Sequence, residues 1–147
     1  MAIHPAGLVQ DLSAANATAF NRLEINAVAV TTIVTEVGIS MNGAPNSTLV
    51  PVQFQLQRMS TAGTGAAGTV VKINQYVPSQ TALVENTADG TLVDSCHTWF
   101  VPVVSGVIWV AAPNREPDFT AAQFMGLKNI AALGASINAA CYIVCEE

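Results

Sequence analysis

The alternation of apolar and polar residues in this chain predicts β-strands from Arg22 onward. In the clearest stretch, residues 50–57, apolar side chains at the even positions alternate with glutamines at positions 53, 55 and 57. A period of two indicates a strand with one buried face and one uncharged face in water. Weaker alternation, rich in the β-branched residues that favour sheets, runs through 22–33 and 37–41.

Three later segments carry apolar residues on both faces of the predicted strands. They cover residues 92–104, 107–112 and 139–146, and Ser105 and Gly106 separate the first two. A strand that is apolar on both faces is covered on both faces, by a second sheet or by a neighbouring subunit. We therefore expect these segments to lie in the core or at a subunit boundary.

The segments between these strands are rich in turn-forming and polar residues. Residues 61–69 are glycine-rich and residues 81–90 are polar, so both predict loops. Residues 70–77 predict one more strand, which Pro78 ends.

Residues 119–133 are compatible with two structures. Thr120 and Gln123 have the spacing of a capping box, which would start a short helix. Gly126 and Gly134 would instead divide the segment into short strands. We favour strand or irregular structure here.

Together these segments predict about eight strands, with no alternation of strands and helices. We therefore predict an all-β fold, an antiparallel two-sheet sandwich of the jelly-roll type. The length of 147 residues suits one domain. Residues 1–21 have weak periodicity and are predicted to form an extended N-terminal arm, which precedes a β-sandwich domain at residues 22–147.

The low charge of the chain indicates a protein that packs against other proteins. Hydrophobic residues make up 51% of the sequence and charged residues 10%, against about 25% charged in an average soluble domain. The net charge is −5 and the basic residues are scattered singly, which argues against direct nucleic-acid binding. The longest apolar run, 99–112, is interrupted by Pro102 and is shorter than the ~20 residues of a membrane span. Because the sequence begins without a signal-peptide pattern, we expect a soluble protein made in a cytoplasm.

Sequence motifs that could indicate catalysis lack the neighbouring residues that the corresponding sites require. Gly63 to Gly68 match a dinucleotide-binding fingerprint, but strand-forming residues follow where that site needs a helix. Cys96 and His97 are neighbours, so their side chains would point to opposite faces of a strand, and no metal-ligand spacing accompanies them. The odd count of 3 cysteines argues against a disulfide framework. We expect no enzyme activity, no cofactor and no metal.

A series of short stretches carries a resemblance to a known family. In sequence letters they are RLEIN at 22–26, VTEVGI at 34–39, QRMSTAGT at 57–64, GVIWV at 106–110 and CYIVCEE at 141–147. In this order they make residues 22–147 similar to the jelly-roll head decoration, or cement, proteins of tailed bacteriophages. The resemblance implies a homotrimer on the exterior of the virion capsid, which binds the major capsid protein and stabilises the shell against packaged DNA.

Apolar side chains of the predicted arm and of the two-sided strands are the candidate contacts with the capsid and with other copies. They are Ile3, Leu8, Val9, Phe20, Trp109, Tyr142 and Val144.

Two other functions compete with this hypothesis. A receptor- or glycan-binding module of a phage tail or fibre would use the loop at 61–69 and an exposed tryptophan, although Trp99 and Trp109 lie in apolar runs that favour core positions. A metal-containing enzyme with a jelly-roll fold is poorly supported, because its only histidines, His4 and His97, are far apart in the sequence.

Overall fold

The computed structural model describes residues 6–11, 21–43, 50–131 and 137–147, and every regular element in these ranges is a β-strand. The strands are β1 (Ala6–Asp11), β2 (Asn21–Asn26), β3 (Thr32–Gly43), β4 (Val52–Met59), β5 (Thr64–Gly68), β6 (Val70–Lys72), β7 (Thr81–Ala88), β8 (Leu92–Val101), β9 (Gly106–Val110), β10 (Asp118–Phe119), β11 (Phe124–Asn129) and β12 (Ile137–Glu146).

The strands form two six-stranded sheets, and all strand pairs within them are antiparallel. Sheet A has the order β6-β1-β12-β3, and both β9 and β10 pair with the free side of β3. Sheet B has the order β5-β7-β2-β11-β4-β8. The predicted all-β antiparallel sandwich is therefore confirmed, with 12 strands instead of about eight.

Eight of these strands make a jelly roll. In chain order β1, β2, β3, β4, β8, β9, β11 and β12 form the rows β1-β12-β3-β9 and β2-β11-β4-β8, so that the last strand pairs beside the first. The chain crosses repeatedly between the two sheets, as in an eight-stranded jelly roll. The remaining strands β5, β6, β7 and β10 extend the sheet edges.

The predicted N-terminal arm requires a correction at residues 6–11. These residues form β1, an internal strand of sheet A that pairs with β12 on one side and β6 on the other. The six-residue strand is too short for its alternation to stand out beside the residues around it. The rest of the predicted arm, residues 1–5 and 12–20, lies outside the described residues.

Two predicted loops contain strands. The polar segment 81–90 contains β7, and the glycine-rich segment 61–69 contains β5, which pairs with β7. Polarity concealed β7 because its buried positions are occupied by Ala82 and Asn86 instead of large apolar residues. The predicted strand 70–77 is shorter than expected, since only β6 at its start is extended.

The ambiguous segment 119–133 contains strand β11, so the helical alternative is wrong. The Gln123 carboxamide oxygen accepts hydrogen bonds from the backbone N–H and the hydroxyl of Thr120, and the Gln123 N–H donates to the Thr120 carbonyl. These contacts close a turn, with Ala122 at a positive φ of 66°. The capping-box residues Thr120 and Gln123 are therefore followed by strand β11 and not by a helix.

The core lies between the sheets and contains the inward residues of both. Sheet B contributes Leu23, Ile25, Phe54, Leu56 and Leu127, all at 0% exposure. Sheet A contributes the buried apolar side chains Val37, Ile39, Cys141, Ile143 and Cys145. Because inward residues alternate with outward ones, each sheet keeps a separate outer face.

Two arginines of sheet B donate hydrogen bonds to backbone carbonyls of sheet A. Arg22 is fully buried and donates from Nη2 to the carbonyl of Ala139 in sheet A. Arg58 of β4 donates to the Asp118 carbonyl at 2.8 Å and to the carboxylates of Asp94 and Asp118. The second set holds the short edge strand β10 against sheet B.

A buried carboxylate seats the loop before β5 on the outside of sheet B. Glu24 is 1% exposed. It accepts hydrogen bonds from the Gly63 N–H at 3.0 Å and from the Asn86 side chain at 2.6 Å. Burial raises the pKa of the Glu24 carboxyl, and the two hydrogen bonds oppose that rise.

Replacing Leu56 with alanine is expected to lower the free energy of unfolding by about 2–5 kcal/mol, because Leu56 is fully buried and the mutation leaves a cavity. Leu92, at 52% exposure, provides the matched control, and Leu92→Ala should change stability by about 0.5 kcal/mol or less. Urea unfolding of both variants measures the difference. Equal losses would contradict the assignment of Leu56 to the core.

The raised pKa of Glu24 makes stability depend on pH. As pH rises above about 4.3, the ordinary value for glutamate, the unfolded chain loses its proton before the folded chain does. The free energy of unfolding therefore falls until pH passes the folded-state pKa of Glu24, and is constant in this respect above it. Glu24→Gln should remove this fall. Urea unfolding of both proteins across the acid range tests it, and parallel profiles would refute it.

Candidate interaction surface

Register pairs place an apolar row across the outer face of sheet A. Val110, Glu36, Val144, Leu8 and Val71 are successive partners on β9, β3, β12, β1 and β6. Residues directly opposite each other in antiparallel strands share one face of the sheet. Four of the five positions in this row are therefore aliphatic side chains that point away from the core.

A second row lies beside the first. Ile108 of β9 is opposite Gly38 of β3, and Gly38 is opposite Tyr142 of β12. Ile108, Val110 and Val71 are 68%, 64% and 52% exposed. We call Leu8, Val71, Ile108, Val110, Tyr142 and Val144 the outer apolar face. Large apolar side chains that are exposed singly need no explanation, but a contiguous group on one sheet indicates a contact surface.

Tyr142 is fixed in place by its neighbours on β3. Its ring lies over Gly38, so closely that a Cβ atom on Gly38 would be 2.0 Å from Tyr142 Cε1. Its hydroxyl donates a hydrogen bond to the Glu36 carboxylate. This hydrogen bond, followed by burial and by the charge of Glu36, raises the pKa of Tyr142 to about 12. The Glu36 carboxylate within the outer apolar face therefore has a hydrogen-bond partner.

A groove of about 520 Å³ runs along this face beside Tyr142. Its lining includes the small residues Gly38, Ser40, Gly106 and Ala140. Ile108 and Tyr142, which belong to the two strands beside β3, also line it. Among the described residues, no charged side chain lines the groove, so it suits an apolar side chain of another protein better than a charged ligand.

The structure brings together part of the predicted contact set. Leu8, Tyr142 and Val144 are near neighbours on the outer face of sheet A, and each is half-buried. The backbone of Val9 lies in β1, and nothing is described of its side chain. Ile3 and Phe20 lie outside the described residues.

Trp109 belongs to the interior side of β9, so its predicted place in the contact surface requires a correction. Its ring stacks on His97 at 5.1 Å between centroids and meets Trp99 edge-on at 5.7 Å. Trp99 is 7% exposed. This aromatic cluster fills the gap between the edge strands β8 and β9 and anchors the core. Both tryptophans therefore follow the core prediction more closely than a carbohydrate platform.

Sequence reasoning missed Val71, Ile108 and Val110 as surface residues. For β9 the alternation of side chains could have identified them, because Ile108 and Val110 point outward if Trp109 points inward. Val71 could not be found in this way, since the position of β6 beside β1 is set by a long-range pairing.

The outer face of sheet B has a different character. The glutamines at 53 and 55 lie there in a polar row, as the alternation predicted, next to Thr98 and the exposed Phe100 of β8. Gln57, at 6% exposure, is more buried than expected for a position in water. Farther along the sheet, Asp89 accepts hydrogen bonds from Asn21 and Lys128, and Glu24 accepts one from Asn86. The molecule is thus apolar on the outside of one sheet and polar on the outside of the other.

The cysteines have the properties of buried thiols. Burial raises the pKa of Cys96 to about 11 and that of Cys145 to about 12, so both remain protonated and weakly nucleophilic at neutral pH. Within the described part of the chain, no three His, Cys, Asp or Glu side chains are grouped closely enough to bind a metal ion. The described residues also contain no helix that is long and apolar enough to cross a membrane.

Substituting Gly38 should disturb the Tyr142 ring. Gly38→Ala is expected to cost about 1–3 kcal/mol, because the added methyl group displaces the ring from its contact with β3. In the Tyr142→Ala background the same substitution should cost much less, since the methyl group then has space. Urea unfolding of the four proteins measures the coupling between the two sites. Equal costs in both backgrounds would show that the ring does not constrain Gly38.

Comparison with known proteins gives little family information. No family model matches the chain, and no curated protein matches it. Among solved structures, one described as "PRD1 vertex protein P5" aligns over 100% of this chain and 99% of its own, at 10% sequence identity and a TM-score of 0.31.

Proposed function

We propose that this chain is a structural protein of a virion, a decoration protein that binds the outside of a phage head as a homotrimer. The observation that carries the proposal is the outer apolar face of sheet A. Leu8, Val71, Ile108, Val110, Tyr142 and Val144 lie together there. The proposed role requires no catalytic group and no cofactor.

The outer apolar face is proposed as the contact between copies of this chain. The centres of interfaces between identical subunits are depleted of charge and enriched in apolar and aromatic residues. Glu36 is bound to Tyr142 within the face, and Glu146 lies at its end, opposite Ala6. The groove beside Tyr142 offers a place for a projecting side chain such as Ile108 of another copy.

Attachment to the major capsid protein is supported by the resemblance to decoration proteins and by the low charge of the chain. A trimer presents the same contact to the shell three times, so that a modest affinity at each site becomes strong overall. Such attachment would stabilise the shell by linking neighbouring capsid subunits.

The glycan-binding alternative is less well supported by the side chains. An aromatic platform for a sugar needs an exposed ring, whereas Trp99 and Trp109 pack against each other and against His97. No described contact favours this second function.

A charge placed in the outer apolar face should prevent assembly. Val110 lies opposite Glu36, so the side chain of Val110→Lys would be compatible with the folded subunit yet costly to bury between subunits. We expect a trimer for the natural sequence and monomers for this variant in analytical ultracentrifugation. Binding of the variant to undecorated heads should fall by at least tenfold, because the multivalent contact is lost.

Val28→Lys is the matched control, because Val28 is 51% exposed and lies outside the sheet. It should assemble and bind like the natural protein. If Val110→Lys assembles as a trimer, the face is not the subunit contact. A monomeric natural protein that does not bind heads would refute the proposed function itself.

A further inference from the structure

A lysine and an aspartate are held in direct contact on the outer side of sheet B. Lys128 of β11 places Nζ 2.6 Å from Oδ2 of Asp89, which follows β7. The side chains of Lys128 and Asp89 are 23% and 16% exposed. Residue 128 is 39 positions from residue 89, so the pair joins two distant parts of the chain.

The other oxygen of the Asp89 carboxylate is held by two donors from Asn21. Its Oδ1 accepts the Asn21 backbone N–H at 2.8 Å and the Asn21 side-chain amide at 2.9 Å. Two N–H groups directed at one carboxyl oxygen polarise it as an oxyanion hole does, and they stabilise negative charge that develops there. The carboxyl group therefore has a polarised oxygen on one side and an amine on the other.

The pair lies close to a buried carboxylate and is itself partly shielded from water. Glu24 is 1% exposed and lies close enough for the charge of Asp89 to contribute, after burial, to its raised pKa. Shielding from water lowers the cost of moving a proton from an ammonium to a carboxylate that is in direct contact with it. The neutral amine is the form that can attack a carbonyl carbon.

We propose that Lys128 and Asp89 form an intramolecular amide bond. One proton passes from Nζ to Oδ2 within the ion pair, and the neutral amine then attacks Cγ of Asp89. The Asn21 donors stabilise the charge on Oδ1 while the carbon is tetrahedral. A second proton passes from Nζ to Oδ2, the Cγ–Oδ2 bond breaks, and one water leaves. No oxidant or other reactant is required, because the reaction is a condensation.

The ion pair between Arg58 and Asp94 provides an internal comparison. Its atoms are also in contact, at 2.8 Å, but Asp94 is 49% exposed and the guanidinium stays protonated. We expect no bond there. An amide at Lys128 would tie the β7–β8 connection to a central strand of sheet B, and this consequence does not depend on the proposed virion function.

Intact mass spectrometry of the folded, purified protein tests the proposal. We expect a mass lower than that of the sequence by one water, and a linked pair of peptides that contain Lys128 and Asp89 after trypsin digestion. Trypsin should also fail to cleave after Lys128, since an acylated lysine is not a substrate.

Lys128→Arg is the matched control, because it preserves the positive charge and can keep the ion pair but cannot form a stable amide. Circular dichroism would establish that it folds, and its mass should equal that of its sequence. Asp89 precedes Gly90, where cyclisation to a succinimide also removes one water; a water lost from the Lys128→Arg protein would therefore overturn the proposal. Full-length natural protein at its sequence mass, with normal cleavage after Lys128, would overturn it as well.

Discussion

The antiparallel pairing of β12 with β1 and β3 is the constraint on which the rest of the structure depends. It brings the end of the chain to the centre of sheet A, between the first strand and the third. Because side chains alternate, one face of β12 places Cys141, Ile143 and Cys145 in the core. The opposite face places Tyr142 and Val144 outside, beside Leu8. The closure of the jelly roll and the outer apolar face therefore have the same cause.

This arrangement explains why the sequence predicted some features and not others. Local alternation was sufficient for β4, β8, β9 and β12, and the turn chemistry separated most of them. It was insufficient for β7, where Ala82 and Asn86 occupy the buried positions, and for β1, whose register with β12 is set by residues 130 or more positions away. The two-sided apolar pattern predicted that these strands lie in the core or at a subunit boundary. The structure shows that β9 and β12 each have one face toward the core and one on the outside of sheet A.

The candidate surface, like the fold, could be predicted only in part from local alternation. Leu8, Tyr142 and Val144 follow from an apolar strand with two faces. The placement of Trp109 could not be decided by period alone, because either face of β9 is apolar. The aromatic contacts with His97 and Trp99 decide it, and these residues come from a different sheet. A contact between residues far apart in the sequence thus determines which of the two apolar faces of β9 points to water.

The two outer faces differ because charge is concentrated on one of them. On the outside of sheet B, Asp89 is paired with Lys128, and the buried Glu24 is hydrogen-bonded to Gly63 and Asn86. On sheet A, Glu36 is hydrogen-bonded to Tyr142 among aliphatic side chains, and Glu146 lies at the end of the face. In a chain that is 10% charged, this separation leaves sheet A free to lose its water when another apolar surface meets it. The charged groups of sheet B need not be desolvated in that contact, so association through sheet A avoids the main electrostatic cost of burying ions.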